Sequence, residues 1–270
     1  MTWTRILTPM VGGDHDAAML RTAASLAAPF GATLTGVYTA ATPASLFPWA
    51  GDGTAIGMEM AIGVLQQAAT DGETRAREQL AAFDYPRKEF EASYGEDWVG
   101  LRVSARLADV VVFNRLPTHG GSFLSEAFQQ ILMDERRPVL ISEAPLDLAG
   151  PVAIAWDGGR EASRAARRAV PWLQKAKEVI VVTAPAATPR EFQPGRLVDY
   201  LADQGVKARH VNLSPKGEAG PLLLEAVEKL GVKLLVAGAF GHPRFQRFIF
   251  GGTTETLLDH QSGLALFLSH

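Results

Sequence analysis

The stretch VKLLVAGAFGHPRFQRFIFGGTTET, residues 232–256, decides how this chain is read. Val232, Leu234, Leu235, Val236 and Ala237 form a short, nearly continuous apolar run, the pattern of a strand covered on both faces. Gly238 follows, Gly241 comes after two intervening residues, and Gly251 after nine more. Gly252, Thr253 and Thr254 then open a helical stretch, TTETLLDH. A strand, loop and helix in this order can turn backbone N–H groups toward a polyphosphate, and the free amides of the helix start add partial positive charge. Glycine suits such a loop because a Cβ blocks positive φ or holds a ligand away. The same spacing also fits an ordinary connection in which glycines only end the elements, so function needs support from elsewhere.

Working outward, strands and helices alternate. Strands are expected at Ile6–Met10, Ala32–Tyr38, 88–93, Asp109–Asn114 and Pro138–Ser142, with helices over 14–29, 59–83, 96–107 and 124–135. Residues 39–58, rich in Pro, Gly and Ala, read as an exposed excursion. Its Gly51-x-Gly53-x-x-x-Gly57 spacing misses the dinucleotide fingerprint by one residue and follows no strand. The order then begins again: strands at Pro151–Asp157, Val179–Ala184, Val206–Leu213, Val232–Ala237 and Ala265–Ser269, helices over 160–175, 194–204 and 219–230. Pro171 predicts a kink or break in the first of these helices. Gly12–Gly13 lies on Gly158–Gly159 at an offset of 146, and VLIS at 139–142 matches LFLS at 266–269. The chain is an internal duplication: two tandem open-sheet parallel α/β domains of Rossmann-like type, 1–145 and 150–270, joined around APLDLAGP. The two apolar final strands need cover, and pairing them within the chain makes it a pseudo-two-fold pair, a pseudo-dimer that leaves room for a further homodimer.

Composition narrows the function. The 270 residues are 47% hydrophobic and 20% charged, enough apolar material for a globular core and too little charge for a disordered chain. The formal charge of −3 argues against a dedicated nucleic-acid binder. With no cysteine there is no disulfide, thiolate metal site or cysteine nucleophile. The first residues lack a secretory h-region, and no apolar run reaches membrane-spanning length, so a soluble, cytoplasmic protein is expected.

With both halves in view, the sequence resembles the universal stress protein family in its tandem form. The second half carries that family's nucleotide signature, G-x2-G-x9-G, as Gly238, Gly241 and Gly251, with Gly252 where many members place a serine. VAIAWDGGREASRAARRAVPWL resembles the opening strand and helix of tandem members. The resemblance implies an adenine nucleotide alpha hydrolase-like fold. It also implies a stress-linked sensor or regulator that binds ATP or another adenine nucleotide, with or without Mg²⁺, in its second domain. Carried across, Asp157 meets the adenosine, and Ala155 and Ala184 line the adenine slot. Ala237 and Gly238 approach the ribose and phosphates. Gly241, His242, Gly251, Gly252 and Thr253 wrap the phosphates. The first domain departs: Val11 stands where Asp157 stands, and Asn114 and Pro117 replace Gly238 and Gly241. It is expected not to bind nucleotide.

Each residue also has a plainer reading. Asp157 fits a turn aspartate beside Gly158–Gly159. A lone loop histidine such as His242 is commonly solvated, Arg244 and Arg247 fit a solvated face, and Phe245, Phe248 and Phe250 fit core packing. Asp14 and Asp16 beside His15 suggest helix N-capping, not a metal site. No GxxxxGK[ST], GxSxG or HExxH is present, and no base to activate water is evident, so ATP cleavage would be slow and incidental. Two rivals stand beside the sensor: a nucleotide-free protein-interaction module of the same fold, and an ATP-cleaving enzyme.

Overall fold

Apolar runs of four to six residues, each followed by a helical stretch, form parallel strands because every crossover helix needs a sheet face to bury against. The computed structural model describes residues 2–40, 55–93, 97–120, 122–183, 193–214, 216–240, 252–260 and 263–270. It divides into two compact units, Trp3–Glu135 and Arg136–His270.

The first unit runs β1 (Arg5–Met10), α1 (Asp16–Ala27), β2 (Thr33–Tyr38), α2 (Ala55–Ala82), β3 (Lys88–Ala92), α3 (Asp97–Ala105), β4 (Val110–Phe113), a 3₁₀ turn (Leu116–His119) and α4 (Ser125–Met133). Its strands lie in the order β3-β2-β1-β4, all parallel. The order of strand addition therefore reverses between β1 and β4, the crevice where open α/β sheets take ligands. The core is Ile6, Leu7, Leu34 and Val110–Phe113, all fully buried. Phe113 meets Phe128 of α4 edge-on, with centroids 5.6 Å apart at 89°.

The second unit runs β5 (Val139–Ile141), β6 (Val152–Ala155), α5 (Arg160–Leu173), β7 (Val179–Thr183), α6 (Pro194–Asp203), β8 (Ala208–Asn212), α7 (Ala219–Lys229), β9 (Leu234–Gly238), α8 (Gly252–Asp259) and β10 (Ala265–Ser269). The order is β5-β10-β9-β6-β7-β8, with the same reversal between β6 and β9. All of these pairs are parallel except β5 with β10, which run antiparallel with Leu268 opposite Val139 and Leu266 opposite Ile141. The final strand of the first repeat is thus part of the second compact unit and covers the edge of β10, in line with the pairing expected of VLIS and LFLS.

Three expectations change. Helix α5 continues through Pro171 to Leu173 and is not broken there. The proline sits in the last turn, where its missing N–H costs one bond at most and Gln174 N–H still reaches Val170 O. Helix α2 begins at Ala55, inside the stretch read as excursion; 41–54 lie outside the described residues. Asp16 does not cap α1 from outside. It is the first helical residue, 2% exposed, and accepts the N–H groups of Val11 (3.1 Å) and Gly12 (2.8 Å) from the preceding turn. Burial raises its pKa, and the backbone N–H groups oppose that rise.

Candidate functional site

The reversal between β6 and β9 brings four of the ten candidate residues to one place. Val152 pairs with Leu234 and Ile154 with Val236, so Ala155 and Ala237 follow side by side at the carboxyl tips. Alternation turns both to the face opposite Ile154 and Val236. Ala155 is part-exposed there, and Ala237 is buried. Asp157 follows two residues after Ala155, exposed, and Gly238 ends β9. Gly252 and Thr253, both exposed, open α8 and place its unpaired first-turn N–H groups at the same end of the sheet, since α8 runs back between parallel strands. The remaining candidates, Ala184, Gly241, His242 and Gly251, lie outside the described residues, as do Arg244, Arg247, Phe245, Phe248 and Phe250.

Two of the candidates have local structural work as well. Asp157 Oδ1 accepts the Gly159 N–H at 2.7 Å across a turn in which Gly158 has φ +76°, so the turn reading is realised. A carboxylate has two oxygens, and this bond occupies one of them. A Cβ at Gly238 would lie 2.4 Å from Ala162 N and 2.6 Å from Glu161 C, so glycine is required for β9 to meet the first turn of α5. At Gly252 a Cβ would meet nothing within 4 Å.

The first unit builds the same corner differently. Ile6 pairs with Val110 as Val152 pairs with Leu234, so Pro9 and Phe113 occupy the places of Ala155 and Ala237. A buried phenyl ring, packed on Phe128, stands where the second unit has the Ala237 methyl group. The β1–α1 turn is clamped by α2: Arg75 Nε donates to Gly12 O at 2.9 Å, and Gln79 Nε2 to Gly13 O at 3.2 Å. A Cβ on Gly12, which has φ +72°, would lie 2.2 Å from Gly72 O. The loop after β4 spends its own amides, Thr118 N–H on Arg115 O, Leu124 N–H on Ser122 Oγ and Ser125 N–H on Ser122 O.

Several features went unread in the sequence. Phe240, two residues past Gly238, has φ +60°, a left-handed conformation that a bulky residue adopts only under constraint. No residue pattern marks it. Thr183, at the tip of β7, is 2% exposed; its hydroxyl bonds His210 Nε2 and donates to Asn212 Oδ1 at 3.2 Å. Burial lowers the His210 pKa. The exchange of Ala237 for Phe113 was legible, because the shift that aligns Asn114 with Gly238 also aligns Phe113 with Ala237. Among the described residues no group of three or more His, Asp or Glu side chains could hold a metal ion, and no helix is long and apolar enough to cross a membrane.

No family model matches the chain, and no curated protein matches its sequence. Solved structures do. A universal stress protein from Archaeoglobus fulgidus aligns with a TM-score of 0.67 at 12% identity, over 99% of this chain and 96% of that one. A functionally unknown protein from Pseudomonas aeruginosa aligns with a TM-score of 0.54 at 15% identity, over 99% of this chain and 92% of that one. The chain has the universal stress protein fold, and the likeness extends over both repeats.

Proposed function

We propose that the chain is a tandem member of the universal stress protein family that binds ATP or a related adenine nucleotide in its second repeat. The repeats are taken as 1–145 and 150–270, and the protein as a cytoplasmic stress-linked sensor or regulator, not an efficient catalyst. One observation carries the assignment to the second repeat: its strand tips hold the small residues Ala155 and Ala237 where the first repeat holds Pro9 and Phe113. A flat base fits against a floor of methyl groups beside a strand-tip carboxylate, which can accept from a base amino group or a ribose hydroxyl. Phosphates fit the free amides at the start of α8. The first repeat, with Phe113 at the corresponding strand tip and its β1–α1 turn clamped by Arg75 and Gln79, acts as a structural partner without nucleotide.

The test is to denature freshly purified protein, identify the released small molecules by chromatography with mass spectrometry, and titrate the refilled or empty protein with ATP, ADP and AMP. Up to one equivalent of adenine nucleotide per chain is expected. Two equivalents would refute the nucleotide-free first repeat, and no binding of any adenine nucleotide at millimolar concentration would refute the nucleotide reading.

A second reading, a nucleotide-free interaction module, is favoured by the local work of Asp157 and Gly238, which explains both residues without a ligand. An empty protein that still binds a partner protein after Gly252→Val would establish it.

A further inference from the structure

We propose that Arg137 is a ligand for the terminal phosphates of the bound nucleotide, a role that rests on the nucleotide reading above. Arg137 belongs to the sequence of the first repeat but folds in the second unit. Because β5 is antiparallel to β10, with Val139 opposite Leu268, the residue two places before Val139 lies beside the carboxyl tip of β10, at the level of His270. That tip is the ligand end of the unit. Ser269 of β10 pairs with Gly238 of β9, and His270 Nδ1 bonds Ala239 O at 2.9 Å.

The register also points to a face. The missing Cβ of Gly238 points at α5, so Ser269 opposite it shares that face, and Leu268 and His270 turn to the other. Val139 shares the face of Leu268, and the same alternation carried back past Pro138 puts Arg137 on it. The right-handed rule for parallel crossovers puts α8 on the face opposite α5. Arg137 therefore lies on the side of the sheet where α8 begins with Gly252 and Thr253, and where Ala155 and Ala237 face.

Its charge is uncommitted. Arg137 Nε is buried and has no hydrogen-bond partner among the described residues. The neighbouring carboxylate, Glu135, is already held by Arg102 and Arg106. A buried donor on a cation costs free energy until an anion meets it, and a guanidinium fork matches two phosphate oxygens at once. Polyphosphate emerging over the α8 amides meets both requirements. The chemistry predicts preference for ATP over AMP, since only the longer chain extends past α8 toward β5.

The experiment is calorimetric titration of wild type, Arg137→Ala and Arg137→Lys with ATP and AMP, with circular dichroism melts as a folding check. Arg137→Ala is expected to weaken ATP by about 10- to 100-fold, the range for one charge-assisted contact, and to leave AMP within about twofold. Arg137→Lys is expected to recover part of the loss, because it restores charge without the fork. If Arg137→Ala does not fold, Arg137→Gln takes its place. Unchanged ATP affinity in a folded variant overturns the proposal, and so does equal weakening of ATP and AMP, which would mean that Arg137 acts on the adenosine end or on the fold. A wild type that binds neither nucleotide removes the nucleotide reading itself, and Arg137's role with it.

Discussion

Gly238 invites mutation as a test of nucleotide binding, and the structure predicts that such a test would mislead. An ideal Cβ there lies 2.4 Å from Ala162 N, whereas ordinary contact begins at 3.4 Å. The shortfall is about 1 Å, and both nearest atoms are backbone of the first turn of α5, which cannot swing aside as a side-chain end can. Overpacking of this kind costs about 1–3 kcal/mol, so β9 and α5 must separate or strain. At about 2–4 °C per kcal/mol for a protein of this size, Gly238→Ala should lower Tm by roughly 2–12 °C with no ligand present. Gly252→Ala is the clean probe, because its Cβ meets nothing within 4 Å and alanine favours a helix over glycine by up to about 1 kcal/mol. Its Tm should equal or slightly exceed that of wild type. Thermal melts with and without ATP separate the two effects. Wild type at about 100 times Kd should gain about 2.7 kcal/mol, and Gly252→Ala should gain less if phosphates rest on the start of α8. A Gly238→Ala protein that melts with wild type would refute the close approach of β9 to α5. A destabilised Gly252→Ala would refute the open space above α8.

Two further outcomes follow from buried polar groups. Asp16→Ala leaves the Val11 and Gly12 N–H groups without their acceptor and should cost about 1–3 kcal/mol in urea denaturation; a change below about 0.5 kcal/mol would show those bonds to be dispensable. His210 is held below its ordinary value of 6.5 by burial, so its neutral form is favoured in the folded protein. That contribution is complete above the unfolded value and is lost as pH falls through the folded one, so stability should drop on acidification below about pH 6.5. His210→Gln should flatten that slope by up to one proton's worth, and identical slopes in the two proteins would refute the assignment.

Much of the fold was legible in the chain. The inner strands Val152–Ala155, Val179–Thr183 and Leu234–Gly238 of the second unit are nearly unbroken apolar runs, because a parallel strand buried on both faces tolerates few polar residues, whereas the edge strand Ala208–Asn212 is polar. The duplication showed in the paired Gly12–Gly13 and Gly158–Gly159 turns and in the matching final strands. The glycine spacing after β9 marked the candidate loop for the same reason, since glycine positions record where a backbone must turn or be approached.

The tertiary structure decided what those residues touch. The sequence could show Asp16 near a helix start but not that its carboxylate turns back to Val11 and Gly12, because that direction depends on how β1 enters the turn. It could show Gly238 but not that the first turn of α5 lies against it, a contact between residues more than seventy positions apart. The pairing of β5 with β10, which carries Arg137 to the tip of β10, is likewise a matter of register between distant segments. Local composition specifies which elements form, because periodicity and turn chemistry act within a few residues. Which face meets which neighbour is set by the whole sheet closing at once, and that is where the candidate site acquires its floor, its amides and its charge.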